Sequence, residues 1–289
     1  TPAHVWGWDT CGVWVRLEER TVRQFVHNVI PPMVGQVGKH LVEGVSDLFK
    51  TEIFQPNHEF DLGAPESVNC LNGELELIQE KGSWVLGQHN RYHYRTMQIP
   101  VKYDGDATAP LFTQFLFEVF DGDADAADKI KAVLEMMGYT LMAHCRHEKF
   151  IVATGVGANG KSVLLAIVEA LCGRENVAGV QRSQFDNKFQ RAHLHGKLAN
   201  IVTEIEQGEV IADAALKGIV SGEPTTMENK FKDPFTMRPF ATCWFGTNHM
   251  PHTRDFSDGL FRRTVIITFN NVFKPELGNC DPLLKDKLM

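Results

Sequence analysis

The sequence predicts an α/β fold whose core is a central, mostly parallel β-sheet flanked by helices. Strands that are apolar throughout are typical of parallel sheets, because helices cover both of their faces. A glycine-rich turn and an apolar helix over residues 161–172 follow the first such strand, and Gly173 ends that helix. The apolar runs that predict the sheet are Phe150–Thr154, Leu198–Thr203, Phe240–Phe245 and Val265–Phe269.

The residues ahead of this core predict a mixed α+β region. The tryptophan-rich stretch 5–17 alternates in the way that a strand does. Residues 19–54 have helical character, which Pro31-Pro32 interrupts because proline lacks the backbone donor. Residues 69–101 alternate around two glycine turns, which predicts short antiparallel strands.

Two amphipathic helices are predicted between this region and the sheet, because apolar residues recur there at helical spacing. They form a helical neck that joins the two parts of the chain. The predicted organisation is an N-terminal α+β region over 1–108, the neck over 109–148, a core over 149–275 and the start of a further C-terminal segment over 276–289.

Composition limits the class of protein. A chain of 289 residues can bury a full core, and none of its apolar runs approaches the roughly 20 residues that span a bilayer, so no membrane partner is expected. The six cysteines are scattered without a CxxC pair, which predicts a reducing, cytoplasmic compartment. The net charge of -7 indicates that the surface as a whole is not basic. DNA binding nevertheless needs positive potential only where the DNA backbone contacts the protein.

The turn after the first apolar run matches the pattern GxxxxGK[ST] at every fixed position. Its glycines let backbone N–H groups face a β-phosphate at the positive end of the following helix. Lys161 is expected to reach the β- and γ-phosphates, and the Ser162 hydroxyl to ligate Mg²⁺. The pattern predicts ATP with Mg²⁺, bound by Gly155, Val156, Gly157, Ala158, Asn159, Gly160, Lys161 and Ser162.

Polar residues follow or precede the other predicted strands. Glu204 ends the second run, where a carboxylate orders Mg²⁺ and the attacking water, and Glu206 would share its face of an extended chain. The Asn248 amide after the third run can hold that water without adding charge. Arg262 and Arg263 precede the fourth run, where an arginine can neutralise transition-state charge at a neighbouring subunit's ATP.

Taken together, these stretches resemble the superfamily 3 helicases, specifically the primase–helicases of satellite phages and poxviruses. The resemblance is close over residues 69–273. The stretches that carry it are VNCLNGELEL at 68–77, PVKYDGDA at 100–107, GYTL at 138–141, GVGANGKSVLL at 155–165, LKGIVSGE at 216–223, GTNHMP at 246–251 and DGLFRRTVIITF at 258–269.

The resemblance implies an AAA+-like P-loop core that works as a ring, usually hexameric, and translocates on single-stranded or forked DNA with ATP hydrolysed at subunit interfaces. It makes Glu204 the acidic strand-end residue and Asn248 the first sensor. Arg263 matches the family's finger arginine better than Arg262 does. Many relatives have two adjacent acids at the strand end, whereas Thr203 precedes Glu204 here, so one carboxylate must serve the metal and the water unless Glu206 assists.

The resemblance also implies a DNA-binding hairpin with a basic and aromatic tip. Lys230 and Lys232 would hold phosphates, and Phe231 would contact a sugar or base. The local alternative is a solvent-exposed hairpin with ordinary lysines.

These expectations describe an ATP-dependent DNA helicase motor of a replication protein, in phage or mobile-element replication inside a host cell. The family includes proteins with a primase domain on the N-terminal side, which stays open for the parent protein. Two alternatives also stay open. One is a P-loop ATPase that packages or remodels DNA without unwinding, and the other is a non-hydrolysing, ATP-binding initiation or scaffold module.

Overall fold

The N-terminal region combines a strand hairpin, a helix pair and a small antiparallel sheet. The computed structural model describes residues 4–30, 37–56, 58–78, 80, 82–205, 213–230, 233–249 and 258–289. The elements of this region are β1 (Trp6–Asp9), β2 (Val13–Arg16), α1 (Glu19–Val29), α2 (Lys39–Glu52), β3 (Val68–Cys70), β4 (Gly73–Ile78) and β5 (Ser83–Gly87). Strands β1 and β2 pair antiparallel, and so do β3, β4 and β5 in that order.

The turn between β3 and β4 requires glycine. Gly73 has φ +149, and a Cβ at this position would lie 2.1 Å from the carbonyl oxygen of Gly87 on β5. The neighbouring Asn72 side chain donates to Tyr103 O at 2.9 Å and accepts from Tyr103 N at 2.8 Å. The turn is therefore attached to the segment that leads into the neck.

The neck consists of α3 (Pro110–Val119) and α4 (Ala126–Thr140). Proline is compatible with the first turn of α3 because the N–H that it lacks has no helical acceptor there. At the end of α4, the fully buried Thr140 hydroxyl donates to Met136 O at 2.6 Å and accepts from Trp244 Nε1 at 2.9 Å. The neck is therefore hydrogen-bonded to the middle of the central sheet.

The central sheet is parallel throughout, as the apolar runs predict. Its strands are β6 (Phe150–Thr154), β7 (Val177–Ala178), β8 (Ala199–Val202), β11 (Thr242–Thr247) and β12 (Thr264–Thr268). In the described part of the chain their order is β12-β6-β11-β8-β7. The turns after β6, β11 and β8 therefore meet side by side at the carboxyl edge of the sheet.

Short helices and one hairpin connect these strands. The helices are α5 (Lys161–Cys172), α6 (Lys188–Arg191), α7 (Asp213–Val220), α8 (Asp258–Phe261) and, after the sheet, α9 (Leu284–Leu288). Strands β9 (Thr225–Met227) and β10 (Phe235–Met237) pair antiparallel outside the sheet. No helix in the described ranges combines the length and apolarity that crossing a bilayer requires.

Alternate residues of each central strand face opposite sides of the sheet. Ile151 of β6 and Trp244 of β11 join a core with α5 and the neck, whereas Val152 and Phe245 join a second core with α7. The third predicted run differs from the structure, since β11 begins at Thr242 rather than Phe240 and extends to Thr247. Thr247 is buried and pairs with Thr154, so sheet pairing continues past the apolar stretch.

Replacing Thr140 by valine tests the link between the neck and the sheet. Valine keeps the shape but removes the acceptor, which leaves the Trp244 N–H buried without a partner. We expect Thr140→Val to lower the free energy of unfolding by about 1–3 kcal/mol in urea denaturation, whereas Thr140→Ser, which keeps the hydroxyl, loses less. Equal stability of the valine variant and wild type would show that the indole N–H finds another acceptor.

Candidate functional site

The glycine-rich loop after β6 has a backbone that only glycine adopts readily at two positions. Gly155 has φ +153, and a Cβ there would lie 2.2 Å from Phe269 O. Gly160, which precedes α5, has φ +89, and a Cβ there would lie 2.8 Å from a methyl carbon of Val119 in the neck. The two glycines let the loop approach β12 on one side and the neck on the other.

Lys161 begins α5, and its side chain is folded back against the loop. The Nζ atom donates to Gly155 O at 2.6 Å, to Asn159 Oδ1 at 2.9 Å and to Val156 O at 3.3 Å. Burial lowers the pKa of Lys161, and the Glu204 carboxylate acts in the opposite direction. A triphosphate that engages this ammonium group therefore has to replace carbonyl oxygens of the loop itself.

The Asn159 side chain fixes the loop from inside. It is buried, donates from Nδ2 to Phe269 O at 3.3 Å, and accepts from Lys161 Nζ through Oδ1. Next to it, Ala158 O accepts from Phe273 N at 2.7 Å. The motif predicts Asn159 only as one member of the loop, because nothing local in the sequence shows that its partner is 110 residues away.

Glu204 and Asn248 meet at the carboxyl edge of the sheet, next to this loop. Asn248 Nδ2 donates to Glu204 Oε1 at 3.2 Å, and both side chains are exposed. The segments that carry them approach closely because Gly246 has no side chain, since a Cβ there would lie 2.4 Å from Thr203 O. The fold thus brings together Glu204, Asn248 and Lys161, whereas Glu206 lies outside the described residues.

The chemistry of these groups fits a magnesium ion. The Ser162 hydroxyl is exposed at the start of α5, and the Glu204 carboxylate is exposed two residues after β8. Mg²⁺ prefers oxygen ligands and is commonly bound through one or two protein groups together with phosphate oxygens. Both predicted ligands are of that type.

The arginine pair lies at the opposite edge of the sheet, directly before β12. Because β12 is parallel to β6 and five residues long, this edge is about 16 Å from the phosphate loop of the same chain. The Arg263 side chain is 12% exposed and forms an ion pair with Glu148, with 2.7 Å between Nη2 and Oε2. The Arg262 side chain is 68% exposed. The family resemblance favours Arg263 as the finger, but within this chain its guanidinium already has a partner.

The expected hairpin exists as the pair β9 and β10, in which buried Met227, the last residue of β9, pairs with Phe235. The Phe235 ring packs edge-on against His195, with 5.3 Å between the ring centroids. Lys230 is exposed in the connection, while Phe231 and Lys232 lie outside the described residues. The DNA contacts of this hairpin stay a prediction.

A cavity of 380 Å³ opens beside the phosphate loop and was not foreseen from the sequence. Its walls come from one face of α3, from the loop and α5, and from the segment after β12. The residues that line it are Leu111, Gln114, Phe115, Glu118, Val119, Ala158, Asn159, Gly160, Ser162, Val163, Phe273, Asn279, Cys280, Asp281, Pro282, Leu284 and Lys285. The C-terminal segment therefore packs against the loop and forms one side of this cavity.

A second polar cluster lies in the N-terminal region, away from this edge of the sheet. Glu74, Glu76 and His93 bring ligand-type atoms together there, and the Glu74 side chain is fully buried. His93 Nδ1 lies 2.7 Å from Glu74 Oε2, and the Arg95 Nε lies 3.7 Å from the same oxygen. The adjacent guanidinium already supplies positive charge, so the cluster is better explained as a buried ion network that joins β4 to residues 90–95.

Two family models match the chain, one over the N-terminal region together with α3 and one over most of the central sheet. A model described as "D5 N terminal like" matches residues 3–121, and a family of unknown function (DUF5906) matches residues 153–263. These matches, in this order, support the family resemblance that the sequence motifs carry.

Solved structures of one protein share the fold along nearly the whole chain. "The A form apo structure of NrS-1 C terminal region-CTR" superposes with a TM-score of 0.57 at 15% identity, covering 96% of this chain and 59% of that chain. A further apo structure of the NrS-1 C terminal region gives a TM-score of 0.58 at 17% identity with the same coverage. This chain therefore spans 59% of the length of those structures, and at such identities the similarity establishes the fold alone.

Replacing Gly246 by alanine tests the close approach that unites Glu204 and Asn248. The added Cβ would meet a backbone oxygen, which cannot move as a flexible side chain does. We expect Gly246→Ala to lower the free energy of unfolding by about 1–3 kcal/mol in urea denaturation. Gly138→Ala is the matched control, because a Cβ on that helical glycine has nothing within 4 Å. Equal stability of the two variants would contradict the tight contact.

Proposed function

We propose that this chain is a superfamily 3 helicase domain of the primase–helicase type and that it is the ATP-hydrolysing motor with which a DNA replication protein unwinds DNA. The observation that carries the proposal is the convergence of Lys161, Glu204 and Asn248 at one edge of a parallel sheet. The three groups come from turns after different strands, and a phosphate loop, an acid and a neutral amide are what phosphoryl transfer to water needs there.

In this proposal the phosphate loop and Lys161 bind the β- and γ-phosphates. The ammonium group exchanges its loop carbonyl partners for phosphate oxygens, and the backbone N–H groups at the start of α5 add favourable charge. Mg²⁺, held through Ser162 and Glu204, would supply charge neutralisation at the phosphates. Burial of Lys161 strengthens its interaction with a bound anion, because solvent screens it less.

Glu204 and Asn248 act on the attacking water. The Glu204 carboxylate can accept a hydrogen bond from the water, and the Asn248 amide can donate to a phosphate oxygen or accept from the water. Their 3.2 Å contact holds the carboxylate at a defined position relative to the amide. A neutral amide suits this place, because a second carboxylate would repel the γ-phosphate.

The base of ATP occupies the cavity beside the loop. Its volume of 380 Å³ lies within the range of about 300–1,000 Å³ that is usual for ligand pockets. Phe115, Val163, Phe273 and Leu284 give it apolar walls, which suit the faces of a flat heterocycle. Asn279 is held by Lys274 N and Val272 O, so the C-terminal wall has a defined shape.

The position of the arginine pair supports ATP hydrolysis at the interface of two subunits. Arg262 and Arg263 lie at the amino edge of the sheet and cannot serve the phosphate loop of their own chain. An exposed arginine at that edge can serve the ATP of an adjacent copy, which requires a ring or another closed assembly. DNA in the centre of such a ring would meet the hairpin of β9 and β10 with Lys230 exposed, and Phe231 and Lys232 as predicted contacts.

Substitution at the carboxyl edge separates binding from hydrolysis. We expect Lys161→Ala to abolish ATP binding, and Glu204→Gln to bind ATP but lower kcat by about 10²–10⁴-fold, because the water loses its base. Displacement of a strand from a forked DNA duplex should be lost in both variants. Glu135→Gln, which changes an exposed acid on α4, is the control.

The control should keep wild-type rates in both assays. ATP hydrolysis by wild type without strand displacement would favour a packaging or remodelling ATPase. ATP binding without hydrolysis would favour an initiation or scaffold module.

The exposed thiol of Cys280 reports on the base cavity. Cys280 lines the cavity, whereas Cys11 is an exposed cysteine of the N-terminal hairpin. We expect ATP to slow alkylation of Cys280 by N-ethylmaleimide several-fold, measured by peptide mass spectrometry, and to leave Cys11 unaffected. Tripolyphosphate, which has no base, should leave the alkylation rate of both cysteines unchanged. Binding of ATP without protection of Cys280 would place the base elsewhere.

A further inference from the structure

We propose that Glu148 is a positioning residue that holds Arg263 within its own subunit, so that Arg262 is the arginine that reaches the ATP of the neighbouring subunit. The inference rests on the proposed function, because it requires hydrolysis at a subunit interface. It assigns the reaching role to Arg262, whereas the family resemblance favours Arg263.

Both terminal nitrogens of the Arg263 guanidinium have partners inside the chain. Its Nη2 lies 2.7 Å from Glu148 Oε2 and donates to Ser221 Oγ at 3.1 Å, while Nη1 donates to Gly259 O at 2.7 Å. A charge-assisted contact of this length is stronger than a neutral hydrogen bond, and the partly buried position protects it from screening. Arg263 would have to give up three partners before it could extend to another subunit.

The backbone of the arginine pair is also fixed. Lys149 Nζ donates to Arg262 O, and Phe150 N donates to Arg263 O at 3.0 Å. Phe150 is the first residue of β6, whose other end carries the phosphate loop. The pair is therefore attached to the strand that leads to the subunit's own ATP site, and only side-chain rotation remains for reaching outward.

Arg262 has the properties that a reaching side chain needs. Its side chain is 68% exposed, and its guanidinium is 3.9 Å from Glu148 Oε2, which is beyond hydrogen-bonding distance. An ion pair this exposed contributes little to stability, so Arg262 loses little free energy when it leaves Glu148 for a phosphate. Arg262 and Arg263 share one carboxylate, and the tight contact to Arg263 leaves Arg262 available.

The backbone at Glu148 aims its carboxylate at the pair. Glu148 has φ +49, in the left-handed region that a residue with a side chain seldom adopts, and its N–H donates to Cys145 O at 3.0 Å. Such a conformation persists only where the surroundings enforce it. This turn directs the Glu148 side chain toward β12.

A double-mutant cycle on kcat for ATP hydrolysis tests the inference. We expect Arg262→Ala to lower kcat roughly 10³-fold, with unchanged ATP affinity, since an arginine finger acts on the transition state. Glu148→Gln should lower kcat less than Arg262→Ala does. Glu148→Asp, which keeps the charge, should lower kcat less than Glu148→Gln does. In the Arg262→Ala background, Glu148→Gln should have no further effect, because Glu148 acts through Arg262.

Two controls accompany the cycle. Glu66→Gln removes the carboxylate that pairs with Arg146, two residues before Glu148, and it should leave kcat unchanged. Mixing Arg262→Ala with Lys161→Ala subunits should restore part of the activity, because an intact phosphate loop then meets an intact arginine.

Three results would overturn the inference. An equal loss from Glu148→Gln in both backgrounds would mean that the ion pair only supports the fold. Wild-type kcat in Arg262→Ala, together with a large loss in Arg263→Ala, would make Arg263 the reaching residue. Failure of wild type to hydrolyse ATP would remove the proposed function and this inference with it, whereas the first two results leave the proposed function intact.

Discussion

The hydrogen bond from the Asn159 amide to the carbonyl of Phe269 joins the phosphate loop to the end of β12, and the rest of the site is arranged around it. The same asparagine holds the ammonium group of Lys161 through its oxygen. On the other side, Gly160 lies against the neck because it carries no side chain. The loop is therefore held between an edge strand and a helix of the neck, and its shape depends on both contacts.

Strand order determines which chemical groups can meet. Strand β11 lies between β6 and β8, so Asn248 is carried into the space between the phosphate loop and Glu204. Strands β6 and β11 pair although they are far apart along the chain, so the turns that meet at this edge come from distant segments. This is why the close contact at Gly246 matters, since it lets the ends of β8 and β11 approach each other.

Much of this architecture could be predicted from the sequence, because its signals are local. Apolar runs, glycine turns and helical spacing were enough for the parallel sheet and the N-terminal α+β region, and the family resemblance is supported by the matches over 3–121 and 153–263. The exact limits of β11 were missed, because pairing with β6 extends the strand through buried polar Thr247. The two-residue strand β7 is too short to have a periodic signal of its own.

The site was less predictable, because its decisive contacts join distant segments. The choice between Arg262 and Arg263 depends on Glu148, which lies more than a hundred residues away, and the cavity beside the loop depends on how residues 273–285 return to α3. No motif spacing records either arrangement. The assignments of catalytic and DNA-binding roles stay predictions, and Phe231 and Lys232 lie outside the described residues.

Strand β12 has the arginine pair at its first end and the anchor of the phosphate loop at its last. Five residues of extended, hydrogen-bonded backbone transmit displacement along their length with little bending, because stretching a strand costs far more than shifting it. In the proposed assembly, any movement of β12 as a whole would therefore shift the arginine pair and the anchor of the phosphate loop together.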